Sequence, residues 1–154
     1  MFIYLVRHAK AKNEEVDPAR PLCEKGLSEI TKMASYASGL DISITEIFHS
    51  PKLRAKQTAQ ILADYLKPLK GTTEMHGLKP NDDPAIWAER FKVITDDIML
   101  VGHLPHLGRL TSQLLCGDPD KNLIVVKTAG VVCIKREDNG VWSLQWIITP
   151  AIII

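Results

Sequence analysis

The chain has 154 residues, 45% of them hydrophobic and 24% charged, with a formal net charge of +1. That balance describes a globular domain large enough to close a core, and it excludes a polybasic nucleic-acid or membrane-surface protein. An anion site in such a chain must be built locally, from a few placed cations. In chain order, "FIYLV" is a buried strand that stops on Arg7 and His8, and the loop after it carries Asp17-Pro18 and Arg20-Pro21. A helix is predicted from about Glu24 to Ser38, with Leu27, Ile30, Ala34 and Ala37 turned inward and Gly39 as its stop. "EIFHS" is a second strand. Ser50 reads as the cap of the next helix and Pro51 as a first-turn residue, with Thr58, Ile61, Leu62 and Tyr65 facing the core. The Gly, Pro and Asp content of Thr72 to Pro84 predicts a loop, and Ala85 to Ile94 a helix. "IMLVGH" is a third strand. Pro105 opens a helix whose Leu107, Leu110, Leu114 and Leu115 face in and which Gly117 closes. "GVVCIKR" and "WSLQWII" are predicted to pair antiparallel around "EDNG", with Asn139-Gly140 in a type I′ turn.

Strand–helix alternation predicts an α/β fold: a three-layer sandwich with a mostly parallel sheet, helices on both faces and an antiparallel C-terminal hairpin. The length predicts a single domain over residues 1–154. Cys23, Cys116 and Cys133 are widely spaced with no C-x-x-C pair, which predicts buried thiols and a reducing compartment. The apolar run Phe2 to Val6 lacks a basic lead and a cleavage site, and no stretch approaches the ~20 apolar residues of a bilayer span. The expectation is a cytoplasmic monomer that binds neither nucleic acid nor membrane. The apolar tail "AIII" is expected to pack on the body of the protein.

Three predicted strands end alike. The first ends Arg7-His8, the second His49-Ser50-Pro51 with Arg54 just inside the following helix, and the third Gly102-His103-Leu104-Pro105. In a parallel sheet these carboxyl ends lie along one edge, where open α/β folds bind ligands. Helix N-termini there add N–H donors, and arginine offers planar bidentate donors matched to phosphate oxygens. An uncharged histidine among such cations keeps a free ring nitrogen and can act as a nucleophile. Each of these residues alone has an ordinary explanation as a loop, cap or turn residue. His49 is read as packing or capping, and His76 and His106 as partly exposed bystanders. Three coincidences in a row carry more weight.

The stretches "LVRHAKA", "HSPKLRAKQTA" and "VGHLPHL" resemble the motifs of the histidine phosphatase superfamily, the phosphoglycerate mutase-like fold. With "RPLCEKG" and the short chain, the resemblance extends to the SixA-type phosphohistidine phosphatases within it and runs from Phe2 to about Pro150. It implies a phosphate pocket of Arg7, His8, Arg54 and His103. His8 would be the nucleophile, and Arg7, Arg54 and His103 would bind the phosphoryl oxygens, with no metal or other cofactor. The substrate it implies is a phosphorylated protein, above all one carrying phosphohistidine. A small phosphate ester is the alternative, and a non-catalytic phosphate-binding module the reading of a different class. A mutase is disfavoured for want of an insertion that could cap the site. Two departures stand out. Cys23 occupies a helix-cap position where many members have Thr, and Gly77 falls near the position of the general-acid Glu found in many members. Glu74, Asp82 and Asp83 are candidates for that acid, with loop solvation as their ordinary explanation.

Overall fold

The computed structural model describes Met1 to Ile154. Its elements are β1 (Phe2–Arg7), α1 (Glu24–Ser38), β2 (Glu46–His49), α2 (Leu53–Leu66), β3 (Thr72–Glu74), α3 (Ala85–Arg90), β4 (Ile98–Gly102), α4 (His106–Cys116), β5 (Val131–Arg136) and β6 (Trp142–Ile148), followed by a 3₁₀ turn at Pro150–Ile152. The six strands form one sheet in the order β3-β2-β4-β1-β5-β6. The β1–β4, β4–β2 and β2–β3 pairs are parallel, and β5 and β6 complete the sheet antiparallel. The expected α/β sandwich with its C-terminal hairpin is the observed fold.

Strand alternation divides the core between two faces. Tyr4 and Val6 of β1 and Met99 and Val101 of β4 pack with Ile30, Met33, Ala55, Ala59 and Leu62 of α1 and α2. Ile3, Leu5 and Leu100 point the other way, onto Trp87, Phe91, Leu107 and Leu110 of α3 and α4. Every residue of β4 is buried, as a strand covered on both faces requires.

The boundaries of α1 match expectation, and its N-cap is Cys23, whose Sγ accepts from the Gly26 amide at 3.4 Å. Gly26 is needed for close approach, since a Cβ there would lie 2.0 Å from the Lys10 carbonyl oxygen. Several expectations are corrected. Leu27 and Tyr65 lie on exposed faces, and Met33, Ala55 and Ala59 take the inward positions instead. The segment expected as loop from Thr72 contains β3, a three-residue edge strand too short to show an alternation. The helix expected to reach Ile94 stops at Arg90, where the Arg136 guanidinium takes the Phe91 and Ile94 carbonyls that a longer helix would use. The hairpin is not type I′. Asn139 keeps a negative φ, Gly140 sits at φ +83°, and Glu137 and Val141 pair across a three-residue loop. That is a type I turn with a glycine bulge. Of the three cysteines only Cys133 is buried, and Cys116 is exposed; all three are free thiols. In the tail, Ile153 packs on the α1/α2 face while Ile152 and Ile154 stay exposed. No helix is long and apolar enough to cross a membrane.

Candidate active site

The site lies at the carboxyl edge of β1, β4 and β2. β1 sits where the sheet changes direction, parallel to β4 and antiparallel to β5. Its pairing continues one residue past its end, with the His8 amide donating to the Gly102 carbonyl at 3.0 Å. α2 then fixes the next residue. The Thr58 hydroxyl accepts from the Ala9 amide at 3.0 Å and donates to the Arg54 carbonyl at 2.7 Å. One residue earlier, Gln57 accepts from the Leu22 amide at 2.8 Å and ties the 9–22 loop to the same helix. These bonds explain locally why "RAKQT" carries polar residues on a helix face that meets the core.

His8 is buried, and its Nδ1 lies 2.7 Å from the Ala9 carbonyl oxygen. A carbonyl only accepts, so Nδ1 carries the proton and Nε2 keeps its lone pair. Arg54 Nε donates toward that Nε2 at 3.4 Å. The His103 ring stands beside it, with centroids 4.9 Å apart and planes tilted by 53°. Arg7 donates from Nη1 to the Val126 carbonyl at 3.2 Å. Ser50, expected as a helix cap, instead sets its hydroxyl 2.8 Å from His103 Nε2, while Lys52 is the N-cap of α2.

Two buried polar atoms of this pocket have no partner within the protein, Arg7 Nε and His103 Nδ1. Buried polar groups ordinarily find partners, and of these two the Arg7 Nε–H is a donor whichever tautomer His103 adopts. Burial, opposed by the Ala9 hydrogen bond and reinforced by Arg54, Arg7 and Arg20, pushes His8 down from 6.5 to about 4. Burial, with His8, Arg54 and Lys52 behind it, pushes His103 down to about 3. Burial also works against the charge on Arg7 and Arg54. The five ion pairs of the protein include neither arginine. Two arginines without carboxylates, beside two neutral imidazoles, can hold a tetrahedral oxyanion and present it to a free ring nitrogen.

All four residues singled out in the sequence, Arg7, His8, Arg54 and His103, are thus brought together. His49 is buried away from them, its Nδ1 bonded to the Ser50 carbonyl at 2.9 Å, and His76 is exposed against Arg90. His106 is a correction. It is fully buried, and neither ring nitrogen has a partner. The general-acid candidates are turned to other tasks. Asp82 accepts from the Lys79 amide and Asp83 from the Ala85 amide, while Glu74 is exposed at the end of β3. At Gly77 a side chain is excluded twice over, by φ +84° and by Ile86 Cγ2 lying 2.9 Å from where a Cβ would stand. Arg20 was not singled out in the sequence. Its charge bears on both His8 and Arg54, and "RPLCEKG" was the signal that carried it.

The sequence model of the histidine phosphatase superfamily, branch 1, matches residues 3–79, half of the chain. The protein belongs to that superfamily and is a phosphatase. It is 24% identical to phosphohistidine phosphatase SixA of Escherichia coli strain K12, over 97% of this chain and 94% of that one. Among solved structures, the protein histidine phosphatase SixA complexed with tungstate superposes with a TM-score of 0.85 at 24% identity, covering 98% of each chain. A phosphoserine phosphatase from Entamoeba histolytica, in complex with 3-phosphoglyceric acid, superposes at 0.71 with 16% identity and 96% coverage of each chain. The same fold therefore serves more than one substrate class.

Proposed function

We propose that this phosphatase removes phosphoryl groups from phosphohistidine on proteins, with His8 as its covalent nucleophile. The observation that carries the reading is the fixed tautomer of His8, which leaves Nε2 unprotonated beside Arg54. In the first step the Nε2 lone pair attacks phosphorus and the bond from phosphorus to the substrate's ring nitrogen breaks. That nitrogen takes the electron pair, and the imidazole leaves neutral when its other nitrogen already bears a proton. In the second step water attacks the phosphorylated His8, inorganic phosphate departs, and Nε2 regains its lone pair. Throughout, Nδ1–H stays on the Ala9 carbonyl and holds the ring in place. Arg7, Arg54 and His103 bind the phosphoryl oxygens, and two guanidinium charges supply the compensation that a metal supplies in other phosphoryl-transfer sites.

The leaving group supports phosphohistidine over an alkyl ester. Glu74, Asp82 and Asp83 make no hydrogen bond to any of the four pocket residues. A serine or sugar alkoxide is strongly basic and needs a proton during cleavage, whereas a neutral imidazole does not. The test compares kcat/KM on a phosphohistidine protein, an aryl phosphate and a phosphoserine peptide. Phosphohistidine and the aryl phosphate should exceed phosphoserine by about a hundredfold or more, the low end of what a general acid contributes. His8→Ala should lower all rates by at least about a thousandfold, and alkaline quenching of the native enzyme should trap an acid-labile phosphoenzyme. Fast turnover of phosphoserine would instead favour a small alkyl phosphate as substrate.

A further inference from the structure

The pocket opens at Arg54 onto a shallow cleft lined by Arg20, Lys52, Arg54 and Lys79, with Glu14 as its one carboxylate. These cations come from separate segments: the turn before α1, the start of α2 and the loop after β3. No run of charge in the sequence produces the patch; the fold assembles it. None of the four takes part in an ion pair. Arg20 lines the cleft with its Nε donating to the neutral Lys12 carbonyl at 3.1 Å, from a backbone at φ +49°. The Lys52 and Lys79 side chains have no hydrogen-bond partner, and Lys52 lies near enough for its charge to bear on His103. Four cations against one carboxylate, in a protein whose net charge is +1, form a local excess beyond what one phosphoryl group requires.

We propose that Lys52 and Lys79 form a second anion subsite, which reads acidic side chains flanking the phosphorylated residue of a protein substrate. The proposal rests on the reading of the substrate as a phosphoprotein. The shape favours a protein surface over a small dianion. Pro18, Ala19, Lys52, Leu53 and Lys79 on the rim are all exposed, and small ligands are ordinarily held in enclosed, pre-formed pockets. Ammonium groups on flexible stems at an open rim speed the encounter with an acidic surface and select its orientation. Pro18, Ala19 and Leu53 supply apolar contact between the charges.

The test uses pairs of peptides that differ only in Glu or Gln flanks, carrying phosphotyrosine in one set and phosphohistidine in the other. Wild-type protein should prefer the Glu-flanked phosphotyrosine peptide about five- to tenfold in kcat/KM at low salt, the scale of one or two exposed ion pairs. The preference should shrink as salt is raised. In the Lys52→Gln/Lys79→Gln protein it should vanish, and in Lys79→Gln alone it should fall while kcat/KM on nitrophenyl phosphate stays within about twofold, since the Lys79 charge bears on none of the pocket residues. Equal rates on both flanks in the wild type would overturn the proposal, as would a parallel loss on nitrophenyl phosphate in Lys79→Gln. A lysine-dependent preference for a small bisphosphate, with none between the peptides, would overturn the assignment to a protein. If neither phosphohistidine peptide is cleaved while the phosphotyrosine preference survives, the phosphohistidine reading fails and the subsite stands.

Discussion

His8 should titrate far below an ordinary imidazole, near pH 4, and its neutrality across the physiological range should follow from burial more than from its cationic neighbours. A fall from 6.5 to about 4 corresponds to about 3 kcal/mol favouring the neutral ring. At pH 5.5 an unperturbed histidine is about 90% protonated, whereas His8 should be protonated in only a few per cent of molecules. The measurement is a proton NMR titration of the ring resonances, assigned by their loss in His8→Ala. It avoids the substrate's own phosphate ionisation, which falls in the same range. Arg54→Ala should raise the value, because one nearby charge is removed, yet leave it below 6.5, because burial is the larger cause. The sign for stability follows. The folded protein binds fewer protons than the unfolded chain between about 4 and 6.5, so this contribution is present above 6.5 and is lost as pH falls toward 4. A His8 midpoint at or above 6.5 in the free protein would refute the reasoning, since nearly every molecule would then need deprotonation before attack in mild acid.

Three further outcomes are expected. Thr58→Val removes the acceptor for the buried Ala9 amide, which should cost about 1–3 kcal/mol in urea denaturation and lower kcat on an aryl phosphate, with Thr58→Ser restoring both. Gly26→Ala forces a Cβ against the Lys10 carbonyl and should destabilise by about 1–3 kcal/mol or more, read as a lowered denaturation midpoint. His106, pushed down to about 4 by burial against the opposing fields of Asp82 and Asp83, with Arg109 adding to the burial, should act on acid stability. His106→Phe should be nearly neutral at pH 7 and should flatten the loss of stability between pH 6.5 and 4 by up to about 1.4 kcal/mol per pH unit, the slope of one proton. An unchanged slope would place the acid sensitivity elsewhere.

The pocket was legible because its four residues stand where a strong local signal stops. Arg7 and His8 end a five-residue apolar run, Arg54 follows a Ser-Pro helix start, and His103 follows a fully buried strand. A parallel sheet carries such endings to one edge, so the convergence needed only the alternation of elements. The residues that were missed lack that kind of marker. Arg20 reaches the pocket from a turn at positive φ, a conformation that an arginine does not advertise. β3 is three residues long, and strand periodicity cannot be read over three residues. On the inward face of α1, Ile30, Ala34 and Ala37 stand where the spacing puts them, but Leu27 is exposed and Gly26 and Met33 are enclosed instead, so side-chain size misled where close approach decided. His106 looked like a surface residue because it is polar. α4 is buried on most sides, with Thr111 and Ser112 enclosed as well, and there polarity is a poor guide to exposure.

The same geometry explains why so short a chain can hold so much uncompensated positive charge. Arg7 and Arg54 are partly buried and carry no carboxylate partner, which by itself weighs against folding. The pocket limits that cost by keeping its other two members neutral. Both histidines titrate far below 6.5, so at neutral pH the site holds two charges rather than four. That division also sorts the chemistry. A charged His8 would be a donor and useless for attack, while a carboxylate placed to neutralise Arg54 would compete with the phosphoryl oxygens for the same guanidinium. Leaving the arginines unpaired and the imidazoles neutral is therefore one requirement, imposed at once by oxyanion binding and by nucleophilic attack. It follows that a bound tetrahedral oxyanion should stabilise the fold as well as occupy the site, because it supplies the missing counter-charge only in the folded state.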